Sequence, residues 1–325
     1  MEIRQTRGVV LRSTGSWYEV REAETGGVYS CRAGGRLRLQ GDRSTNPFAV
    51  GDGVVIEFHG EDEPPLIVER EKRRNAIVRR SVNLSKQSHI VAANLDRAFL
   101  VVTVASPETS TGFIDRFLVT AEAYGVPTTL VFNKCDLYDG QAEAMDRLEY
   151  LEEVYHQAGY TTLRTSAETG EGMDALKAAL ASAGINLLSG HSGVGKSTLI
   201  NRLLPGLELK TGDVSSAHQK GKHTTTFAEM FALPEGGYLV DTPGIKGFGL
   251  VELERDQLHH YFPELFAKLP ACKFHNAYTV RSPNVPSVKP LRKEKSLRSG
   301  TSTTWICMKI SRRTLLTAKP YKREA

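Results

Sequence analysis

The sequence predicts an α/β protein in which a small β-barrel precedes a doubly wound α/β domain. Residues 8–68 form short apolar runs separated by glycines, and five such runs suit a small closed barrel of the OB type. From residue 96 to residue 240, strand patterns of the kind buried in parallel sheets alternate with helical segments. This periodicity is absent after residue 276, so the last segment is expected to differ from the rest of the chain.

The composition suits a soluble protein of two or three domains. The chain has 325 residues, of which 40% are hydrophobic, and no run approaches the ~18 apolar residues of a membrane span. Its amino terminus carries no apolar signal core, so we expect a cytoplasmic protein without membrane contact. Four scattered cysteines, Cys31, Cys135, Cys272 and Cys307, provide no disulfide framework, which is typical of a reducing compartment.

The net charge of +5 does not by itself indicate a nucleic-acid partner. Residues 277–325 contain 12 of the 42 lysines and arginines but only 2 of the 37 acidic residues. The tail therefore carries +10, and the remainder of the chain carries −5. Basicity is a property of the tail alone.

Residues 190–198 fit the phosphate-loop pattern G-x-x-x-x-G-K-[ST] at every defined position. A strand pattern at 185–188 precedes them and a helix pattern at 198–204 follows, which is the context that the motif requires. Backbone N–H groups of such a loop cradle phosphates, Lys196 reaches the β- and γ-phosphates, and Ser197 holds Mg²⁺. The predicted nucleotide-binding residues of this loop are Gly190, His191, Ser192, Gly193, Val194, Gly195, Lys196, Ser197 and Thr198.

Two further loops predict that the nucleotide base is guanine. Asn133-Lys134-Cys135-Asp136 follows the strand pattern at 128–132, and the Asp136 carboxylate can accept the N1–H and 2-amino hydrogens that adenine lacks as a pair. Ser166-Ala167, after the strand pattern at 161–164, is expected to supply a backbone contact to guanine O6. Together with the phosphate loop, these loops predict GTP as the ligand.

Asp241-Thr242-Pro243-Gly244 follows a strand pattern at 238–240 and predicts the loop that senses the γ-phosphate. Asp241 can reach Mg²⁺ through water, and the N–H of Gly244 can meet the γ-phosphate. Lys196, Ser197, Asp241 and Gly244 are the predicted catalytic residues.

The polar stretch 212–227 predicts a mobile switch segment. Within it, Thr225 is the candidate Mg²⁺ ligand, with Thr224 as the close alternative. Ile245 occupies the place after Gly244 where many GTPases carry a water-orienting glutamine. Because an aliphatic side chain cannot orient water, slow intrinsic hydrolysis is expected.

The order of the loops indicates a circular permutation, because the guanine loops precede the phosphate loop instead of following it. With this order the sequence resembles the circularly permuted, ribosome small subunit-dependent GTPases of the RsgA family (YjeQ, EngC) over residues 1–276. The resemblance implies an OB-fold barrel at 1–70, a permuted GTPase domain at 71–255 and a small zinc-bearing domain at 256–325. It also implies a monomer that acts in late maturation of the 30S ribosomal subunit and contacts 16S rRNA.

Exposed aromatic and basic residues of the barrel are the candidate RNA contacts, although any of the aromatics can instead fill the barrel core. These candidates are Trp17, Tyr18, Tyr29, Arg32, Arg36 and Arg38. The charged stretch 69–75 indicates a connector between domains. Its basic residues and those that follow either contact RNA phosphate or are solvated. The basic residues concerned are Lys72, Arg73, Arg74, Arg79 and Arg80.

The C-terminal segment departs from the family pattern C-x₄-C-x-H-x₅-C, which suits tetrahedral Zn²⁺. Only Cys272 is in place, so the zinc site expected of the family is incomplete in this sequence. Codons read from their third base permit cysteine at 276–277, histidine at 278–279 and cysteine at 284–285, the family spacing. We interpret the segment after residue 276 as out of frame, through a frameshift or a sequencing error.

The favoured hypothesis is a GTP hydrolase whose nucleotide state times its release from an immature small subunit. A protein that binds ribosomal RNA, with GTP as a structural ligand and hydrolysis incidental, is the alternative. A P-loop ATPase or small-molecule kinase is disfavoured by Asn133 and Asp136.

Overall fold

The computed structural model describes residues 3–35, 47–60, 63–80, 88–182, 184–207, 228–241 and 258–266. Five strands at the amino terminus follow the order β1-β2-β3-β5-β4, and an additional pairing of β1 with β4 closes the ring. This confirms the predicted five-stranded barrel. Its strands are β1 (Arg4–Ser13), β2 (Tyr18–Glu22), β3 (Val28–Ala33), β4 (Gly53–Phe58) and β5 (Leu66–Arg70).

Alternation along the barrel strands decides which aromatic residues face the core. Tyr18 is 1% exposed and packs edge-on against Phe48, with 5.0 Å between the ring centres. Trp17 is 37% exposed, and the Arg32 guanidinium lies 4.2 Å from the centre of its ring. Tyr18 is therefore a core residue, whereas Trp17 and Arg32 are available on the outer surface. Arg36 and Arg38 lie outside the described residues.

The second domain is a six-stranded sheet with the order β10-β9-β8-β11-β13-β12, parallel throughout except for β12. A separate hairpin of two strands, β6 and β7, precedes it. The strands are β6 (Ala76–Arg80), β7 (Ser88–Ala93), β8 (Arg97–Val102), β9 (Thr128–Phe132), β10 (Thr161–Arg164), β11 (Ile185–Ser189), β12 (Glu229–Ala232) and β13 (Tyr238–Asp241).

Helices cover both faces of this sheet, as the alternating pattern predicts. They are α1 (Thr111–Ala123), α2 (Ala142–Gln157), α3 (Met173–Ala181), α4 (Lys196–Leu203) and the short α5 (Pro263–Phe266), with 3₁₀ turns at Cys135–Leu137 and Leu258–Tyr261. Every residue of β9 is buried because one face packs on α1 and α2 and the other on α3 and α4. Within the described ranges, no helix is long and apolar enough to cross a membrane.

One buried ion pair, one exposed ion pair and amide contacts join the barrel to the second domain. The fully buried Asp52 carboxylate accepts hydrogen bonds from Arg73 Nε and Nη2, both at 2.6 Å, and from the Ala49 N–H at 2.8 Å. Arg74 binds Asp96 at 2.8 Å, and the Asn75 amide exchanges two hydrogen bonds with the backbone of Leu95. Arg73 and Arg74 thus have partners within the protein, which neither interpretation of 69–75, contact with RNA phosphate or a solvated connector, predicted.

Strand β1 also links the barrel to the sheet of the second domain. After pairing with β4 and β2, it meets β12 through the pair Arg12 and Glu229. The two domains therefore share one continuous sheet of eleven strands. The sequence did not predict this pairing.

Replacing Asp52 with asparagine is expected to destabilise the protein by about 3 kcal/mol. The change removes the negative charge that Asp52 places against the Arg73 guanidinium, whose side chain is only 13% exposed. The measurement is the free energy of unfolding in urea.

The matched control is Glu108→Gln, which makes the same chemical change in the exposed pair with Arg147. It is expected to cost less than about 1 kcal/mol. Equal costs for the two substitutions would contradict a dominant role of the Asp52–Arg73 pair at the junction.

Candidate nucleotide-binding site

The phosphate loop lies between β11, which ends at Ser189, and α4, which begins at Lys196. Its three glycines, Gly190, Gly193 and Gly195, have φ angles of +152°, +87° and +91°. A Cβ atom on Gly190 would lie 2.5 Å from the carbonyl oxygen of Val101, so a side chain there is sterically excluded. The predicted context of strand, glycine-rich loop and helix is present.

The side chains of this loop divide into buried and accessible ones. Val194 is fully buried in the core beneath the loop, whereas Ser192 and Gly193 are exposed. Ser197 and Thr198 are half-buried in the first turn of α4. The exposed rim is the part of the loop that a phosphate chain can approach.

Lys196 folds back over the loop that it follows. Its Nζ donates hydrogen bonds to the carbonyl oxygens of Gly190 at 2.6 Å and His191 at 2.8 Å. Burial lowers the pKa of Lys196 to about 8, while the carboxylate of Asp241 acts in the opposite direction. The half-buried amine is thus held beside the exposed rim of the loop.

Asn133 ties the phosphate loop to the two guanine loops. Its fully buried amide donates from Nδ2 to the Val194 carbonyl oxygen at 2.8 Å. Its Oδ1 accepts from the Thr165 hydroxyl at 3.1 Å and from the Ala167 N–H at 3.2 Å. One side chain therefore fixes three predicted loops relative to one another.

Asp136 and Ser166, two residues of the predicted guanine loops, are hydrogen-bonded to each other. The Ser166 hydroxyl donates to Asp136 Oδ1 at 2.5 Å and accepts from the Thr169 N–H at 3.0 Å. This fixes one oxygen of the carboxylate while the side chain of Asp136 remains half-buried at the surface. A carboxylate held in this way can accept two hydrogens from a guanine edge.

Lys134 and Cys135 have structural contacts within the same loop. Lys134 adopts a left-handed conformation with φ of +64°, and its Nζ donates to the Ser106 carbonyl oxygen at 2.7 Å. The buried Cys135 thiol donates to the Phe132 carbonyl oxygen at 3.3 Å, and burial raises its pKa to about 11. Cys135 is thus a protonated packing residue at neutral pH.

Asp241 ends β13, the parallel neighbour of β11, and pairs in register with Leu188. It therefore reaches the same sheet edge as the phosphate loop, where Ser197 lies in the first turn of α4. Hydroxyl and carboxylate oxygens are ligands that suit Mg²⁺. The other predicted ligands and switch residues, Gly244, Thr225, Thr224 and Ile245, and the zinc candidate Cys272, lie outside the described residues. In the part of the chain that is described, no cluster of three His, Cys, Asp or Glu side chains could hold a metal ion.

The structure adds one loop to the site that sequence reasoning missed, residues 103–110 between β8 and α1. Thr109 contacts His191 of the phosphate loop, Pro107 packs against Gly193, and Ser106 receives Lys134. No spaced pattern marks this loop. The only signal in the sequence is that the loop follows the apolar strand pattern of β8. In the structure β8 lies next to β11, and neighbouring parallel strands end at the same sheet edge.

Four loops thus meet at the carboxyl edge of β8, β9, β10 and β11, with Asp241 of β13 beside them. Models of two protein families match this chain. The model described as RsgA GTPase matches residues 70–251, and the one described as RsgA N-terminal domain matches residues 7–64. The first covers the sheet that carries the loops, and the second covers the barrel.

Curated relatives align over most of the chain. A Bacteroides fragilis protein named small ribosomal subunit biogenesis GTPase RsgA is 50% identical over 305 residues, 93% of this chain and 96% of its own length. A Bacteroides thetaiotaomicron protein named small ribosomal subunit biogenesis GTPase RsgA 2 is 54% identical over 273 residues, 83% and 86% of the two chains.

Two solved structures share the fold. YjeQ from Thermotoga maritima superposes with a TM-score of 0.69 at 36% identity, covering 86% of this chain and 89% of that one. YloQ, described as a circularly permuted GTPase, superposes with a TM-score of 0.71 and covers 98% of each chain. At 24% identity YloQ shows the fold alone, and that fold confirms the predicted circular permutation.

The affinity for GTP is expected to fall as the pH rises above about 8. In the free protein the pKa of Lys196 is lowered to about 8, whereas the phosphates of GTP favour its charged form. Above this pH, binding must therefore take up a proton, which weakens it by up to about tenfold per pH unit. The dissociation constant measured between pH 7 and 9 checks this.

Lys196→Arg is the control for this titration, because a guanidinium stays charged throughout the range. It also corrects for titration of the nucleotide itself. Parallel pH profiles for the wild-type protein and Lys196→Arg would contradict the lowered pKa as the cause.

Asp136→Asn is expected to weaken GTP binding by at least about 100-fold, because two hydrogen bonds to a charged acceptor are lost. The amide can donate to the 2-oxo group of xanthine, so xanthosine triphosphate should bind better than it does to the wild-type protein. Asp139→Asn makes the same change at an exposed position nearby and should leave the preference for GTP intact. An unchanged base preference in Asp136→Asn would remove this residue from the guanine site.

Proposed function

The chain belongs to the RsgA family of GTPases, and from this membership we propose that it hydrolyses GTP as a timer in late maturation of the 30S ribosomal subunit. The observation that carries the proposal is the buried amide of Asn133, which brings the guanine loops and the phosphate loop together. A site of this kind binds guanine and phosphates as one ligand. The proposed ligand residues are those predicted from the phosphate loop, the two guanine loops and the loop that begins at Asp241.

The phosphates of GTP are proposed to lie along the exposed rim of the phosphate loop. On binding, Lys196 exchanges its two carbonyl contacts for phosphate oxygens, which suits a buried amine with a lowered pKa. Ser197 and Asp241 are the described residues that would hold Mg²⁺, and the ion would neutralise charge on the β- and γ-phosphates. Thr225 and the N–H of Gly244 remain proposed contacts from the sequence.

Slow hydrolysis in the absence of a partner is part of the proposal. Ile245 stands where a water-orienting glutamine is found in many GTPases, and an aliphatic side chain at this position cannot orient water. The small ribosomal subunit, which the names of the relatives identify, is the proposed source of the missing group or loop order. A monomer that docks through its barrel on 16S rRNA, with Trp17 and Arg32 on the exposed surface, fits this role.

Coupling between nucleotide state and ribosome affinity is favoured by the position of β12. This strand follows the segment 208–227 and leads into β13, which ends at Asp241, and Glu229 pairs with both Asp241 and Arg12 of the barrel. A change in the loops around the γ-phosphate would thus act on a strand that the barrel contacts. This supports a timer over a protein in which GTP is only structural.

Zinc enters the proposal as a family expectation only. Cys272 is the one cysteine of the expected zinc pattern that is in place, and the proposed shift of reading frame after residue 276 removes its partners. The guanine and phosphate loops all precede that segment, so the proposal of GTP hydrolysis does not rest on it.

The test is the rate of GTP hydrolysis with and without purified 30S subunits. Stimulation by about 100-fold or more is expected, because catalytic groups supplied by a partner reach about 10³ to 10⁵ in other GTPases. Ser197→Ala should abolish both rates, since it removes a proposed ligand of Mg²⁺. Normal hydrolysis by folded Ser197→Ala protein would refute the site.

A second measurement separates the timer from the alternative. The affinity for 30S subunits is compared in the presence of GDP and of a non-hydrolysable GTP analogue, and tighter binding is expected with the analogue. Equal affinity, together with a hydrolysis rate indifferent to 30S subunits, would favour an RNA-binding protein that carries GTP as a structural ligand.

A further inference from the structure

The loop at residues 103–110 holds the first variable residue of the phosphate loop, His191. The Thr109 hydroxyl oxygen lies 2.7 Å from His191 Nε2. From another direction, the Phe113 ring makes an edge contact with the imidazole, with 5.6 Å between ring centres. The same loop also approaches the backbone of the phosphate loop, because a Cβ atom on Gly193 would lie 3.2 Å from Pro107. The loop thus fixes both a side chain and the backbone of the phosphate loop.

The contacts of His191 define its tautomer. Nδ1 lies 2.8 Å from the carbonyl oxygen of Ser192, and because a carbonyl oxygen only accepts, Nδ1 carries the hydrogen. The neutral ring then offers a lone pair at Nε2, which accepts the Thr109 hydroxyl hydrogen. The Thr109 oxygen itself accepts the N–H of Thr103 at 3.0 Å, which leaves its hydrogen free for the imidazole.

The hydrogen bond from His191 Nδ1 sets the direction of the peptide between Ser192 and Gly193. In a trans peptide the C=O and the N–H point in opposite directions. Holding the Ser192 oxygen against the imidazole therefore directs the Gly193 N–H away from it. N–H groups of phosphate loops are the donors that cradle phosphates, and Gly193 belongs to the exposed rim.

The neighbouring carbonyl groups are fixed by a different side chain. Lys196 Nζ binds the oxygens of Gly190 and His191, so the His191 imidazole is the group that orients the next peptide. When Lys196 turns to phosphate, its hold on those two oxygens ends, whereas the contact of His191 with Ser192 does not involve Lys196. The orientation of this peptide is thus prepared before the ligand arrives.

We propose that Thr109 is a positioning residue for the phosphates of GTP, acting through His191 on the peptide between Ser192 and Gly193. The inference rests on the proposed GTP site and adds to it a residue from outside the nucleotide motifs. Thr109 is 1% exposed, so it acts through His191 and not by touching the ligand.

The test replaces Thr109 with valine, which has the same shape without the hydroxyl, and measures the dissociation constants of GTP and GDP. Both are expected to rise by about 5- to 10-fold, the effect of one lost hydrogen bond. Thr109→Ser keeps the hydroxyl and should restore binding to within about twofold. The preference for GTP over inosine triphosphate should stay unchanged, because the guanine loops are not involved.

A second background separates positioning through His191 from a purely structural role. In His191→Asn the amide nitrogen takes the place of Nδ1 and donates to Ser192 without any tautomer to set. Thr109→Val should therefore change the GTP affinity by less than about twofold in this background. A structural role, such as the bond to the Thr103 N–H, would cost the same in both backgrounds.

Each outcome bears on the inference. Equal losses in the two backgrounds, or unchanged GTP and GDP affinity in Thr109→Val, would overturn it while leaving the GTP site in place. Wild-type protein that binds neither nucleotide would overturn the proposed site and the inference together.

Discussion

The nucleotide site depends on one buried amide, that of Asn133. The side chain is fully buried, so each of its polar atoms must find a partner inside the protein, and an unsatisfied one would cost about 1–3 kcal/mol. It finds them on Val194, Thr165 and Ala167, which belong to loops that follow β10 and β11. Gly195 must be a glycine for the same reason, since a Cβ there would lie 2.4 Å from Asn133 Nδ2. The hydrogen bonds of the Asn133 amide thus set the distance between the proposed guanine and phosphate subsites.

The order of the strands explains why a circular permutation leaves the site intact. The loops meet because parallel strands end at a common sheet edge, and this depends on the strand order β10-β9-β8-β11-β13, not on where the chain begins. The permutation changes which element precedes or follows each loop along the chain. It places β8 and the loop at 103–110 directly after the barrel and its hairpin, so that the segment entering the domain also contacts the phosphate loop.

Local patterns made much of this fold and site predictable. The strand at Thr128–Phe132, the strand at Thr161–Arg164 and the loop before α4 were all predicted, because each is encoded by adjacent residues whose apolar pattern and glycines act over one turn. The pairs Asp52 with Arg73 and Thr109 with His191 were not. Their partners are 21 and 82 residues apart, and nothing near either residue indicates which distant group it meets. Long-range polar contacts are decided by tertiary packing, which local patterns do not encode.

Strand β1 connects the barrel to the sheet that carries the nucleotide site. Its first half closes the barrel against β4, its second half pairs with β2, and Arg12 near its end reaches Glu229 of β12. Glu229 also pairs with Asp241, the last residue of β13. Glu229 therefore connects the barrel to the strand that ends beside the phosphate loop. The Asp52–Arg73 pair holds the other side of the junction, so the barrel cannot turn freely about β1. A displacement of β12 would therefore be carried to the barrel as a whole, and not absorbed in a flexible connection.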